Sequence, residues 1–325
     1  VTIVMLVAGL AALIAGAEII VNFGTRLARM LGISPLIIGL TIVSIGTSAP
    51  ELAVGIDAMR RDAGSLVLGN IAGTNMVNLL LILGLSAAIR PIALQKQTFR
   101  LDLPAMVVSS ILLLVLSLDG SLSTWDGALL LGVAIVYTGI LLWTARREAS
   151  AEGLAKHVDE SADEPPRPPR RPRQVALYLG LTVVGIAVVV LGADWLVSAA
   201  VDIAGHFGVS DTLIGLTVVA IGTSLPELAT TITATIRGAR SIAVGNLIGS
   251  STYNLTFILG TSLLFGPSQV GVDQQLISLD LPLMIGAALL CIPVFLSGRR
   301  IARVEGLAFV GAYAAYMTSL VALRA

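Results

Sequence analysis

The sequence predicts an all-α polytopic membrane protein: ten transmembrane helices in two inverted five-helix repeats. Three observations carry that expectation. First, 56% of the 325 residues are hydrophobic and 12% are charged, whereas a water-soluble domain carries roughly a quarter of its residues charged; the mean hydropathy is +0.93. Second, the apolar residues are gathered into runs long enough to cross a bilayer, which takes about 20 residues as a helix. Third, the first half of the chain recurs in the second. The same composition excludes a disordered chain. The 20 Lys and Arg are balanced by 20 Asp and Glu, so no net field favours nucleic acid. A single cysteine, Cys291, forms no internal disulfide, and two histidines make no ordinary zinc site.

The spans are expected at 3–25, 33–59, 65–89, 102–118, 126–145, 175–200, 209–236, 241–265, 278–297 and 302–322. The runs are too long for strands and lack the alternation of a membrane barrel. The first resembles a signal peptide in place only: it has no basic leader, Glu18 interrupts it, and it has a counterpart later in the chain. Residues 1–145 form the first repeat and 175–325 the second. Between them, 146–174 is polar, with a proline-rich stretch from Pro165 to Pro172, and reads as a flexible cytoplasmic linker. With the amino terminus outside, seventeen of the 20 basic residues fall on the inner side. That bias supports ten spans with both ends outside, in a prokaryotic cytoplasmic membrane.

Residues 34–56 and 210–232 align without a gap at an offset of 176, and fifteen of the 23 positions are identical. At the same offset Gly69, Asn70, Gly73, Asn78 and Gly84 match Gly245, Asn246, Gly249, Asn254 and Gly260, and Gly16 and Glu18 match Gly192 and Asp194. Shared polar residues in register signal a duplication. Five spans per half invert the second half and bring equivalent residues to a common midplane, the geometry of an alternating carrier.

Two blocks carry the chemistry. G-T-S-A-P-E (Gly46 to Glu51) lies midway along the second span and G-T-S-L-P-E (Gly222 to Glu227) midway along the seventh. Each proline removes an N–H and clashes with the carbonyl four residues back. A kink is expected there, with loose carbonyls including those of Ser44 and Ala220 facing a cavity. Thr47, Ser48, Thr223 and Ser224 add hydroxyls. Carboxylates at mid-membrane are costly and functional by default, which singles out Glu51 and Glu227. The all-oxygen donor set suits a hard cation such as calcium rather than a soft metal.

The third and eighth spans add G-N-x-x-G-T-N-x-x-N (Gly69 to Asn78) and G-N-x-x-G-S-S-x-x-N (Gly245 to Asn254). Thr74 with Asn78, and Ser250 with Asn254, lie four apart on one helix face and can complete the cage or bond between helices. The glycines allow close crossings. Asn70 and Asn246 lie two turns back and read as structural or gate-lining. Glu18 and Asp194 either see an ion path or pair with a neighbouring arginine. Asp102 and Asp280, ahead of Pro104 and Pro282, read as helix N-caps.

These blocks resemble the two alpha-repeats of the calcium/cation antiporter superfamily, most closely its prokaryotic sodium/calcium exchanger branch. The resemblance implies a secondary active antiporter, not an enzyme, exchanging calcium for sodium across the membrane. It implies that Glu51 and Glu227 ligate calcium. It also implies that Thr47, Ser48, Thr74, Asn78, Thr223, Ser224, Ser250 and Asn254, with the carbonyls of Ser44 and Ala220, share the calcium and sodium sites. Some members carry aspartate where this chain has Asn254. The alternatives are a proton/calcium antiporter and a cation channel. The expected partners are calcium, sodium and the lipid bilayer, with no nucleic acid and no cofactor, for a monomeric protein.

Overall fold

The computed structural model describes residues 2–60, 64–93, 95, 97–158, 172–206, 220–296 and 300–324. In chain order the helices are α1 (Thr2–Leu31), α2 (Pro35–Thr47), α3 (Ala49–Arg60), α4 (Gly64–Ile89), α5 (Thr98–Leu116), α6 (Thr124–Val158), α7 (Pro172–His206), α8 (Ala220–Thr223), α9 (Leu225–Ile236), α10 (Arg240–Leu264), α11 (Leu276–Val294) and α12 (Arg303–Arg324). Four short strands join them: β1 (Ile92–Ala93), β2 (Ser121–Ser123), β3 (Gln269–Gly271) and β4 (Arg300–Ile301). The lead-in to the seventh expected span, 209–219, lies outside the described residues. Among those described, seven helices are long and apolar enough to cross a membrane, or eight if the bent pair α2–α3 is one span. The 22-residue α12 stands at the tenth expected span. Helix also enters the expected linker from both sides, since α6 reaches Val158 and α7 starts at Pro172.

Local chemistry explains several helix starts. Ser34 caps α2, its hydroxyl accepting from the Leu36 N–H at 3.2 Å, with Pro35 in the first turn. Ahead of α6, Asp126 accepts from the Ser123 N–H at 2.7 Å while its own N–H reaches the Ser123 hydroxyl at 3.3 Å, a reciprocal cap. Asp102 and Asp280 depart from the capping expectation. Each ends a widened π turn, Thr98–Asp102 or Leu276–Asp280, that runs on without interruption into helix. Asp102 therefore has helical backbone and makes no cap bond; it is wholly buried and accepts from the Tyr137 hydroxyl at 3.3 Å.

The helices sort by depth. In α10, 94% of the most apolar window is buried, against 28% in α1 and in α7. So α10 is the axis of the core, and α1 and α7 form a peripheral pair packed mainly on each other. Glycine makes that crossing possible: a Cβ at Gly192 would lie 2.8 Å from the Leu13 nitrogen and 2.9 Å from the Gly9 carbonyl, and one at Gly16 would lie 2.8 Å from the Gly185 carbonyl. The far end of α4 packs on α12, with Gly84 against Gly306, while the far end of α10 packs on α6, with Gly260 against Gly127. The strands cross between the halves too: β1 pairs with β4, and β2 with β3, both antiparallel.

Candidate cation site

At the centre two helices are interrupted. Pro50 and Pro226 carry no N–H, and the chain breaks two residues earlier, at Ser48 (φ −83°, ψ 12°) and Ser224 (φ −86°, ψ 2°). The axes of α2 and α3 meet at a bend of 43°. Across the first break the Ser48 N–H still reaches the Ser44 carbonyl at 3.1 Å. At the second, the Ser224 N–H reaches the Ile221 carbonyl at 3.1 Å. The expected interruptions are thus present at both positions. The Ser44 carbonyl already accepts one N–H, and the Ser250 and Thr47 hydroxyls lie within 3.4 Å of it, each with a shorter alternative acceptor.

The breaks place Glu51 and Glu227 in the first turns of α3 and α9, both buried, and close enough for their charges to interact. Their surroundings differ. Glu227 Oε1 accepts from the Ser48 hydroxyl at 2.9 Å and the Ser250 hydroxyl at 3.3 Å, while its Oε2 has no hydrogen-bond partner among the described residues. Neither oxygen of Glu51 has one, although Thr223 stands beside it.

The other halves of the cage arrive crosswise. The turn Val77–Ile82 packs on α9, and the turn Asn254–Ile258 packs on α3. Both are π turns, which widen the helix and are frequent at functional sites. They carry Asn78 and Asn254, fully buried, with neither amide atom hydrogen-bonded among the described residues. The Thr74 and Ser224 hydroxyls are buried and unbonded as well. Asn246, read from the sequence as structural or gate-lining, makes a direct contact: it accepts from the Thr47 hydroxyl at 3.2 Å and donates to the Thr231 hydroxyl at 3.1 Å. Sequence reasoning also passed over Thr231, which nothing but its place one turn beyond Glu227 could have signalled.

A buried polar atom without a partner costs about 1–3 kcal/mol, more if charged. One wholly and one partly unpartnered carboxylate, two unbonded amides and free hydroxyls on four crossing helices fit one kind of occupant, a positive ion bound through oxygen. Calcium takes six to eight such oxygens in flexible geometry. The residues present therefore fit a hard cation as cargo.

Glu18 stands outside the cage. It forms an ion pair with Arg237 at 2.7 Å, with 29% and 61% of the two side chains exposed. An exposed pair contributes up to about 1 kcal/mol. Glu18→Gln is therefore expected to lower the melting temperature slightly and leave calcium affinity within about twofold of wild type; a large affinity loss in a calcium titration would put Glu18 on the ion path.

A family model described as sodium/calcium exchanger protein matches residues 1–143 and 177–322. The chain belongs to the sodium/calcium exchanger family. The two matched blocks flank the 146–174 region on either side. Among relatives of this exchanger family, the chain is 31% identical to the sodium/calcium exchanger MaX1 of Methanosarcina acetivorans, over 97% of each chain. It is 36% identical to the inner membrane protein YrbG of Escherichia coli strain K12, over 86% of this chain and 84% of that one. In three dimensions it is similar to the sodium-calcium exchanger NCX_Mj soaked with 10 mM Na+ and zero Ca2+, at a TM-score of 0.82 and 30% identity, covering 98% of both chains. It is a multi-pass membrane transporter, not an enzyme.

Proposed function

We propose that this exchanger moves calcium against sodium across a prokaryotic cytoplasmic membrane, through one central site that holds either ion. The observation that carries the reading is the pair of buried carboxylates, Glu51 and Glu227, at two helix breaks. Two negative charges match one divalent ion, and the surrounding hydroxyls, amides and carbonyls replace its hydration shell. In this reading the cage comprises Glu51, Glu227, Thr47, Ser48, Thr223, Ser224, Thr74, Asn78, Ser250 and Asn254, with the carbonyls of Ser44 and Ala220. The names of MaX1 and NCX_Mj, both sodium/calcium exchangers, point the same way.

The architecture in this reading is ten spans in two inverted halves, 1–145 and 175–325, joined by a linker at 146–174. The reciprocal contacts of the fold support it. The offset of 176 carries Gly9 to Gly185 and Gly16 to Gly192, and the crossing of α1 and α7 sets Gly9 against Gly192 and Gly16 against Gly185. A two-fold axis produces that exchange of partners. The pairing of β1 with β4 and β2 with β3 follows the same rule. A common site reached from either side then gives alternating access.

Calcium uptake by proteoliposomes tests the coupling. With voltage clamped, uptake should follow an outward sodium gradient and ignore an outward proton gradient. Uptake that follows the pH difference and ignores sodium would assign a proton/calcium antiporter, and calcium current without a counter-ion would assign a channel.

A further inference from the structure

We propose that Asn246 is a positioning residue of the ion site: its amide oxygen takes the Thr47 hydroxyl proton, so that the Thr47 oxygen meets the ion only as an acceptor. The inference rests on the reading of Thr47 as part of the cage.

A hydroxyl is one donor and two lone pairs, and a cation needs the lone pairs. In this cage two hydroxyls face a choice. Those of Ser48 and Ser250 donate to Glu227 Oε1, at 2.9 and 3.3 Å. Their protons point at the carboxylate that a cation must approach, so they must turn when it arrives. The Thr47 hydroxyl has one proton and three acceptors around it, the Glu227 carboxylate, the Ser44 carbonyl at 3.4 Å and Asn246 Oδ1 at 3.2 Å; the amide oxygen is nearer than the carbonyl, which already accepts the Ser48 N–H. The other end of the amide is occupied as well, since Asn246 Nδ2 donates to Thr231 Oγ1 at 3.1 Å. All three side chains are wholly buried, so no water competes for these bonds. A donor set aimed before the ion arrives needs no reorganisation on binding.

The arrangement belongs to one half of the molecule. At the offset of 176, Asn246 corresponds to Asn70 and Thr231 to Gly55. Glycine has no hydroxyl to hold an amide, and Asn70 is only half-buried. The two halves, alike in their ligand residues, thus differ in what lies behind them.

The test is a double-mutant cycle on purified exchanger in proteoliposomes, reading KM for sodium and for calcium separately from the maximal rate. Asn246→Ala should raise KM for the ion that Thr47 contacts about tenfold, the size of one lost hydrogen bond, with a smaller change in maximal rate. In a Thr47→Val background the same substitution should change KM by less than about twofold, because no proton remains to be placed. Asn70→Ala should leave KM within about twofold. If Asn246→Ala does not yield folded protein, Thr231→Val frees the amide from behind, and its effect should likewise vanish with Thr47→Val. Equal losses in both backgrounds would make Asn246 a packing residue and overturn the proposal, as would wild-type KM in Asn246→Ala. Wild-type KM in Thr47→Val would remove Thr47 from the cage and the proposal with it, leaving sodium-driven uptake standing. Absence of sodium-driven uptake in the wild type would instead overturn the functional reading itself.

Discussion

Glu51→Gln and Glu227→Gln are each expected to reduce calcium uptake by about a hundredfold or more, while the protein still folds. Both substitutions keep the side-chain length and one carbonyl oxygen, so packing at the helix breaks is preserved. Each removes one of the two charges that offset a divalent ion in a buried site. Truncating one member of a buried charge pair costs about 2–5 kcal/mol, and each 1.4 kcal/mol is tenfold in affinity. The effect on the ion-free protein runs the other way. Glu51 has no hydrogen-bond partner for either oxygen among the described residues, so an amide in its place breaks no bond there. The melting temperature without calcium should therefore hold or rise in Glu51→Gln, and the stabilisation added by calcium should disappear. Asn78→Ala and Asn254→Ala remove only dipolar oxygens and should be milder, about tenfold in uptake. Uptake at the wild-type rate in either glutamine variant, measured with radioactive calcium, would leave the carboxylates as packing groups.

Gly245→Ala and Gly249→Ala should both destabilise the fold and impair transport. The crossing of α10 and α2 leaves no room for a side chain: a Cβ at Gly245 would lie 2.6 Å from the Leu36 carbonyl and 2.9 Å from the Leu40 nitrogen, and one at Gly249 would lie 2.6 Å from Ser44 Oγ and 2.9 Å from the Leu40 Cα. Most of these are backbone atoms, which yield only if a helix moves. Overpacking of this kind costs about 1–3 kcal/mol. Displacing α10 also carries Ser250 away from Glu227. Melting temperature and uptake should fall together. Gly132→Ala, in α6 where an added Cβ meets no described atom within 4 Å, should be neutral. Melting temperatures for Gly245→Ala and Gly249→Ala equal to that of Gly132→Ala would contradict the crossing.

Much of this was readable from the residues. Proline and glycine inside an apolar run announce a break whatever the tertiary context, so the interruptions at Ser48 and Ser224 were expected. Glu51, Glu227, Asn78 and Asn254 stood out because polar residues are costly at that depth and each appeared twice in register. What escaped was set by packing. Asp102 was read as a cap from its place ahead of Pro104, but a cap needs non-helical backbone, and the preceding π turn keeps the helix going. That turn has no local signature, and neither do those at Val77–Ile82 and Asn254–Ile258. The bond from Thr47 to Asn246 joins residues 199 positions apart, and only the close crossing of α2 and α10 brings them together. The sequence left Glu18 between two roles because its partner, Arg237, lies 219 positions away along the chain.

The central claim is that one cage, built on Glu51 and Glu227, holds calcium or sodium in turn. Isothermal titration of calcium into the purified exchanger, repeated across sodium concentrations, measures this most directly. The account predicts saturable calcium binding whose apparent affinity falls steadily as sodium rises, and no such binding in Glu51→Gln or Glu227→Gln. Calcium binding that keeps its wild-type strength in saturating sodium, or in both glutamine variants, would contradict it.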